Sequence, residues 1–511
     1  ITIGAQTVAY DTGLISNQDS SDPPSYYVMD SFPLGGMHAN NISILVTQAG
    51  LGVRNWGIWQ ADGGQIAVTV DGRLENYGIW RANGGQIAVT TNGRLENRGT
   101  IAAGGGQIAV TANDRLENRG TIAAGSGQIA VTANDRLENW GTIAAGAVSL
   151  VTPKGYIKNA GSIQGTRSVV TASEGDTYLF GAGLVQQTAD SAVVISAKGS
   201  VKLLNNNTDR GATQVGSTMG DGQVSISAGD EIYLGEGASV AAGKDVQLRT
   251  DKSVRTRNAS VTSRSGNVSV LAGTGIALSN VTVTGQQVHL ETGAEFRDSA
   301  ANIWITGGNV RGQTQTTALA TGGVYVSSPG STAVSSDGNV HVQAARAVDI
   351  AAGSTITAGQ HMSVMAGTAL TLRANSGRTA TNGEKVRLSA GSNMLVSGGS
   401  VMATGSSLSA GKNLTIEAND GSVSLNALSN AAGASVDRIT LSAGDDLKVS
   451  AFKGNVSAAG LQASGRNISL ASTGTTRVAS TPAYMGSNIV AVGSELVARE
   501  GITLASVAGG T

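Results

Sequence analysis

An asparagine returns every 21 residues near the start of this chain, at Asn55, Asn76, Asn97, Asn118 and Asn139, with a sixth at Asn159. The words around it repeat as well: GGQIAVTVDGRLENYGIW, GGQIAVTTNGRLENRGTI, GGQIAVTANDRLENRGTI and SGQIAVTANDRLENWGTI. A unit this short cannot bury a core alone, so copies must stack on one another before any site can exist. The repeat therefore sets the architecture, and function has to lie in what a stack can carry.

One copy reads as a rung. In residues 63–83, Ile66 and Val68 alternate with Ala67 and Thr69, the period of a strand with one buried side. Asp71-Gly72 turns the chain, Arg73 to Asn76 alternates again, Gly78 turns, and Ile79 opens a third extended piece. Two or three short strands joined by glycine turns form one coil of a parallel β-helix. The expected fold is all-β, a parallel solenoid of roughly 24 coils of about 21 residues.

Shared register stacks like residues at about 4.8 Å. Leu74, Leu95, Leu116 and Leu137 make one inward column, and Ile66, Ile87, Ile108 and Ile129 another. The asparagines, from Asn55 to Asn159, form an amide ladder in which each side chain donates to the next; the same column can also be read as a binding strip. Arg73 and Glu75 share the outward side, as do Arg94 and Glu96, Arg115 and Glu117, and Arg136 and Glu138. They read as solvated scaffolding. The position after the ladder departs from the pattern, with Trp56, Tyr77, Arg98, Arg119 and Trp140, while Trp59 and Trp80 follow three residues after the first two. These are the candidate surface contacts, read either as ligand contacts for sugar or protein or as aromatics covering the end of the regular stack.

Composition narrows the function classes. Only 4% of the 511 residues are aromatic and 14% charged, which does not build the large core of a globular enzyme. With 40% hydrophobic residues and a net charge of −1, disorder is excluded. The even balance leaves no electrostatic footprint for nucleic acid and no polybasic segment for anionic membranes. No run reaches the length of a membrane-spanning helix, and the first residues lack signal-peptide regions. The absence of cysteine leans toward an exported protein.

Four segments follow: 1–36, Pro-rich toward its end; 37–165, the regular repeats; 166–220, irregular coils; and 221–511, degenerate coils written "Gly, strand, Ala-Gly, strand". Period-breaking stretches at 205–216, 251–265, 312–323 and 375–385 are expected to protrude as loops. No catalytic, cofactor or metal site is expected. His38, His289, His341 and His361 lack partners at metal-ligand or triad spacing. The acidic residues Asp221, Asp230, Glu231, Asp420, Asp445 and Asp446 scatter over turns of different coils.

The segment LGGMHANNISILVTQAGLGVRN at 34–55, with QTVAYDTG upstream and RLENRGTIAAGGGQIAVT downstream, resembles the join between secretion domain and shaft in filamentous haemagglutinin-like exoproteins. The likeness is specific over 1–165 and generic beyond. It implies a right-handed parallel β-helix, secreted through an outer-membrane transporter of two-partner secretion and displayed as a cell-surface filament. The partners it implies are that transporter and a receptor on a host or neighbouring cell, protein or glycan. It also implies a shaft fragment beginning near the end of a secretion domain, and the chain departs from the family's pattern in that no toxin-like domain is read before Thr511. An adhesin and a contact-dependent growth inhibition effector both stay open, as does a β-helical polysaccharide-active enzyme.

Overall fold

The computed structural model describes residues 1–3, 6–8, 15–17, 27–181, 184–187, 192–205, 212–217, 221–293, 301–374, 385–429, 435–473 and 489–507. Those residues form an all-β parallel solenoid without a helix, of about 18 turns set about 22 residues apart. The chain divides into two compact units, 1–249 and 250–511.

In the first unit each turn has three sides. Ile66–Val70, Ile87–Thr91, Gln107–Ala112 and Gln128–Ala133 stack as the first. Leu74–Asn76, Leu95–Asn97, Arg115–Asn118 and Arg136–Asn139 stack as the second. Ile79–Ala82, Thr100–Ala103 and Thr121–Ala123 stack as the third. All these pairings are parallel, and like pairs with like: Ile66 with Ile87, Leu74 with Leu95, Asn76 with Asn97. Alternation along each strand sends Ile and Val inward from the first side, Leu and Asn from the second, and one large apolar residue from the third. Each buried Ile, Leu or Val contributes roughly 1.5–3 kcal/mol, so the thin core is stabilised by repetition rather than breadth.

The turn after the ladder explains its glycine. The Asn76 carbonyl accepts from both Arg98 N and Gly99 N, at 2.7 and 3.0 Å. That pair of hydrogen bonds draws the next coil so close that a Cβ on Gly99 would lie 2.0 Å from the Gly78 carbonyl oxygen. Gly78, Gly120 and Gly141 meet the same limit.

Trp59 and Trp80 do not project. They occupy the inward column that Ile101 continues, both 0% exposed, with rings stacked at 5.0 Å. Their strand parity sends them inward, so they act as core residues. The irregularity of 166–220 is one of wording: Ser162–Ser173, Thr177–Phe180, Ala192–Ala197, Val201–Leu204 and Gln214–Ser217 keep the parallel stacking.

The second unit keeps the plan with longer strands. Gly275–Thr292, Asn302–Ala320 and Val324–Ser336 run on around corners. One inward column passes through Val254, Ile276, Ile303, Val324, Val348, Leu370, Val401, Val423 and Val456, and is apolar throughout. Two of the expected loops are rungs. Residues 251–265 hold the strands Ser253–Arg257 and Ser260–Ser263, and most of 312–323 lies within Asn302–Ala320. Their Ser- and Thr-rich wording still buries alternate residues, which is all a rung needs. The loops expected at 205–216 and 375–385 fall largely outside the described residues. The count of 24 coils is corrected by long register steps: Leu414 pairs with Leu447, 33 residues on, and an antiparallel hairpin of Leu428–Ser429 with Ser435–Asp437 leaves the rung between them.

Candidate functional site: a charged and aromatic stripe

The second side of the first unit carries both columns that the sequence singled out, on its two faces. Inside, Asn55 Nδ2 donates to Asn76 Oδ1 at 2.9 Å, Asn76 to Asn97 at 2.8 Å, and Asn97 to Asn118, Asn118 to Asn139 and Asn139 to Asn159 at 2.7 Å each. The second amide proton goes to backbone, as from Asn76 to the Thr100 carbonyl at 3.3 Å. All six side chains are buried with their hydrogen bonds made, so this face offers no surface to a ligand. The ladder ends where Asn159 pairs in register with Leu179.

Outside, the glutamates are not solvated. Glu75 and Glu96 are each 2% exposed and Glu117 4%: cations close over Glu96 and Glu117 from both flanks, and Glu75 is covered by Arg73 and the Tyr27 hydroxyl. Arg73 reaches Glu75 and Glu96; Arg94 reaches Glu96 at 2.7 Å and Glu117 at 2.6 Å; Arg115 reaches Glu117 at 3.4 Å; Arg136 reaches Glu138 at 3.7 Å. From the other flank the Nε atoms of Arg98 and Arg119 bond Glu96 and Glu117. Burial pushes the Glu117 carboxyl up, but the Arg119 hydrogen bond and the charges of Arg119, Arg94 and Arg115 outweigh it and hold it below its ordinary value. In-register Glu over Glu is thus sustained by diagonal guanidinium bridges.

The position after the ladder forms a second pile. Trp56 stacks on Tyr77 at 4.1 Å, the Arg98 guanidinium lies over Tyr77 at 5.6 Å, and Arg119 and Trp140 follow one coil at a time. Trp56 is 40% exposed, and the Arg98 and Arg119 side chains are 48% and 51% exposed. Tyr77 and Trp140 are half-buried.

The same outer face continues past the residues that the repeat marked. Arg54 sits over Tyr27 at 4.5 Å, Arg136 over Tyr156 at 5.4 Å, Lys158 between Trp140 and Phe180, and Lys202 over Tyr178 at 5.7 Å. Lys158 occupies the register position of Glu138, and Tyr178 and Lys202 follow it. Strand parity counted back from Asn159 points to Lys158; the loss of the repeated wording hides the rest. The Tyr178 hydroxyl is pushed up to about 12 by its hydrogen bond to Asp176 and by burial, and Tyr27 to about 12 by burial and Glu75, so both stay neutral donors at physiological pH.

Other polar groupings are small. His38 meets Asp62 on the surface, His289 meets Glu291 at 2.8 Å, and His341 meets Gln343 at 3.1 Å. Asp445 pairs with Arg466 at 3.0 Å and Asp446 with Asn467 at 3.0 Å. A cleft of about 270 Å³ in the second unit is lined by Ser263, Thr284, Gly285, Arg311, Gln313 and Asp337. Its one carboxylate is bound to Arg311 by two 2.9 Å contacts. Among the described residues no group of three or more His, Cys, Asp or Glu is placed to hold a metal ion.

Fold and stripe define the class as a parallel β-solenoid with an ordered ionic and aromatic face. No family model, curated protein or solved structure matches the chain.

Proposed function

We propose that this chain is a structural shaft of a secreted bacterial cell-surface filament, a filamentous haemagglutinin-like exoprotein that mediates adhesion or cell–cell contact and performs no catalysis. One observation carries the reading: on the second side of the first unit the outward charged and aromatic side chains are ordered into a stripe, while an asparagine ladder closes the interior behind it. A solenoid turns repetition into reach, and a side-chain column into a surface of fixed spacing. The resemblance at 34–55 supports the same reading and adds export through a two-partner outer-membrane transporter. The receptor is a protein or glycan on a host or neighbouring cell.

Deleting 37–165 from the protein on its producing cell, with export monitored by surface labelling, should reduce attachment to target cells. Exported protein lacking these coils that leaves both attachment and inhibition of neighbours unchanged sinks the proposal.

A further inference from the structure

Between Arg73 and Trp140 the charges of the stripe do not cancel evenly. Four guanidinium groups, those of Arg73, Arg94, Arg115 and Arg136, match the four carboxylates of Glu75, Glu96, Glu117 and Glu138 one to one. Arg98 and Arg119 are surplus. They stand on successive coils, and the same column is filled by neutral rings on either side, Tyr77 before them and Trp140 after. Each is fixed through Nε to a buried carboxylate, which leaves its Nη atoms on the exposed side without a hydrogen bond to protein among the described residues.

Two preorganised guanidinium groups one coil apart, about 4.8 Å, are close enough for one tetrahedral anion to bridge them. The pair carries two surplus charges. A phosphomonoester carries about −1.5 to −2 at pH 7 and neutralises both, whereas a carboxylate or sulfate ester neutralises one. The carrier follows from the surroundings. Rungs above and below consume the strand hydrogen bonds of this side, so a peptide finds no free edge to extend. Tyr77, stacked on Trp56 and covered by Arg98, instead offers beside the pair a hydroxyl with no hydrogen bond among the described residues, a group suited to a sugar. We propose that Arg98 and Arg119 form a binding site for a phosphomonoester carried on a saccharide. The assignment deepens the display reading by naming what the stripe contacts, but it is tested on purified chain and so stands or falls apart from cell attachment.

The test is calorimetric titration of the full chain at low ionic strength with glucose 6-phosphate, glucose 6-sulfate, O-phosphoserine and glucose. Glucose 6-phosphate should bind best, and its affinity should fall about ten-fold between pH 7 and pH 5 as the ester takes up its second proton, with pKa near 6. Arg98→Gln/Arg119→Gln should weaken it at least ten-fold with the circular dichroism spectrum unchanged; the single Arg119→Gln serves if the double variant does not fold. Equal affinity for glucose 6-sulfate, or binding unaltered in a folded Arg119→Gln variant, overturns the site. Equal affinity for O-phosphoserine overturns the saccharide assignment.

Discussion

The side-chain amide of Asn97 donates to Asn118 Oδ1 at 2.7 Å across 21 residues of sequence. It lies in a run of five such bonds, so each interior asparagine is donor to one neighbour and acceptor from the other. Asn97→Leu therefore strands two buried groups, the Asn76 amide and Asn118 Oδ1, at about 1–3 kcal/mol each. Asn159→Leu at the end strands only the Asn139 donor and should cost about half as much. Urea unfolding followed by hydrogen exchange over residues 74–140 measures both, and equal costs would show that the ladder is not a chain of coupled bonds.

Gly99→Ala should destabilise by more than ~2 kcal/mol, since its Cβ would meet the Gly78 carbonyl oxygen at 2.0 Å, and backbone cannot give way without breaking the coil-to-coil bonds. Gly104→Ala, whose nearest atom is 3.7 Å away, is the control and should fall within about 0.5 kcal/mol of the parent. Thermal unfolding midpoints of the two variants decide the point.

Acid should loosen the first unit through Glu117. The Glu117 carboxyl is held below its ordinary 4.5 when folded, so the unfolded chain binds its proton first as pH drops. The stability it contributes is complete above about 4.5 and is lost as pH falls on through the folded value. Melting curves between pH 6 and pH 3 should show this loss, and Glu117→Gln should flatten the slope. An unchanged slope in that variant would place the acid response elsewhere.

Trp59 and Trp80 bury indole N–H groups that have no hydrogen-bond partner. Trp80→Phe removes one such donor while keeping most of the ring, so its net cost should stay within about 1 kcal/mol, against ~3–5 kcal/mol for Trp80→Ala. Acrylamide quenching of tryptophan fluorescence should also separate Trp59 and Trp80, shielded, from Trp56 and Trp304, each 40% exposed.

The rung, its turns and the asparagine register were legible because a 21-residue repeat states all three at once: equal spacing forces equal stacking, and Asn-x-Gly recurs with it. Trp59 and Trp80 were misplaced because they were compared with Trp56, three residues away, when strand parity gives them the opposite direction. The stretches 251–265 and 312–323 read as loops because their wording is irregular, yet the alternation beneath it persists.

What the sequence determined by itself was the parallel solenoid and the column each repeated residue joins, since period and parity are properties of the chain alone. Only the tertiary structure decided that Glu75, Glu96 and Glu117 are buried and that Arg98 and Arg119 keep free nitrogens. Those outcomes depend on guanidinium groups reaching diagonally between coils, and a linear spacing of 21 or 23 residues does not say which pair of side chains will meet.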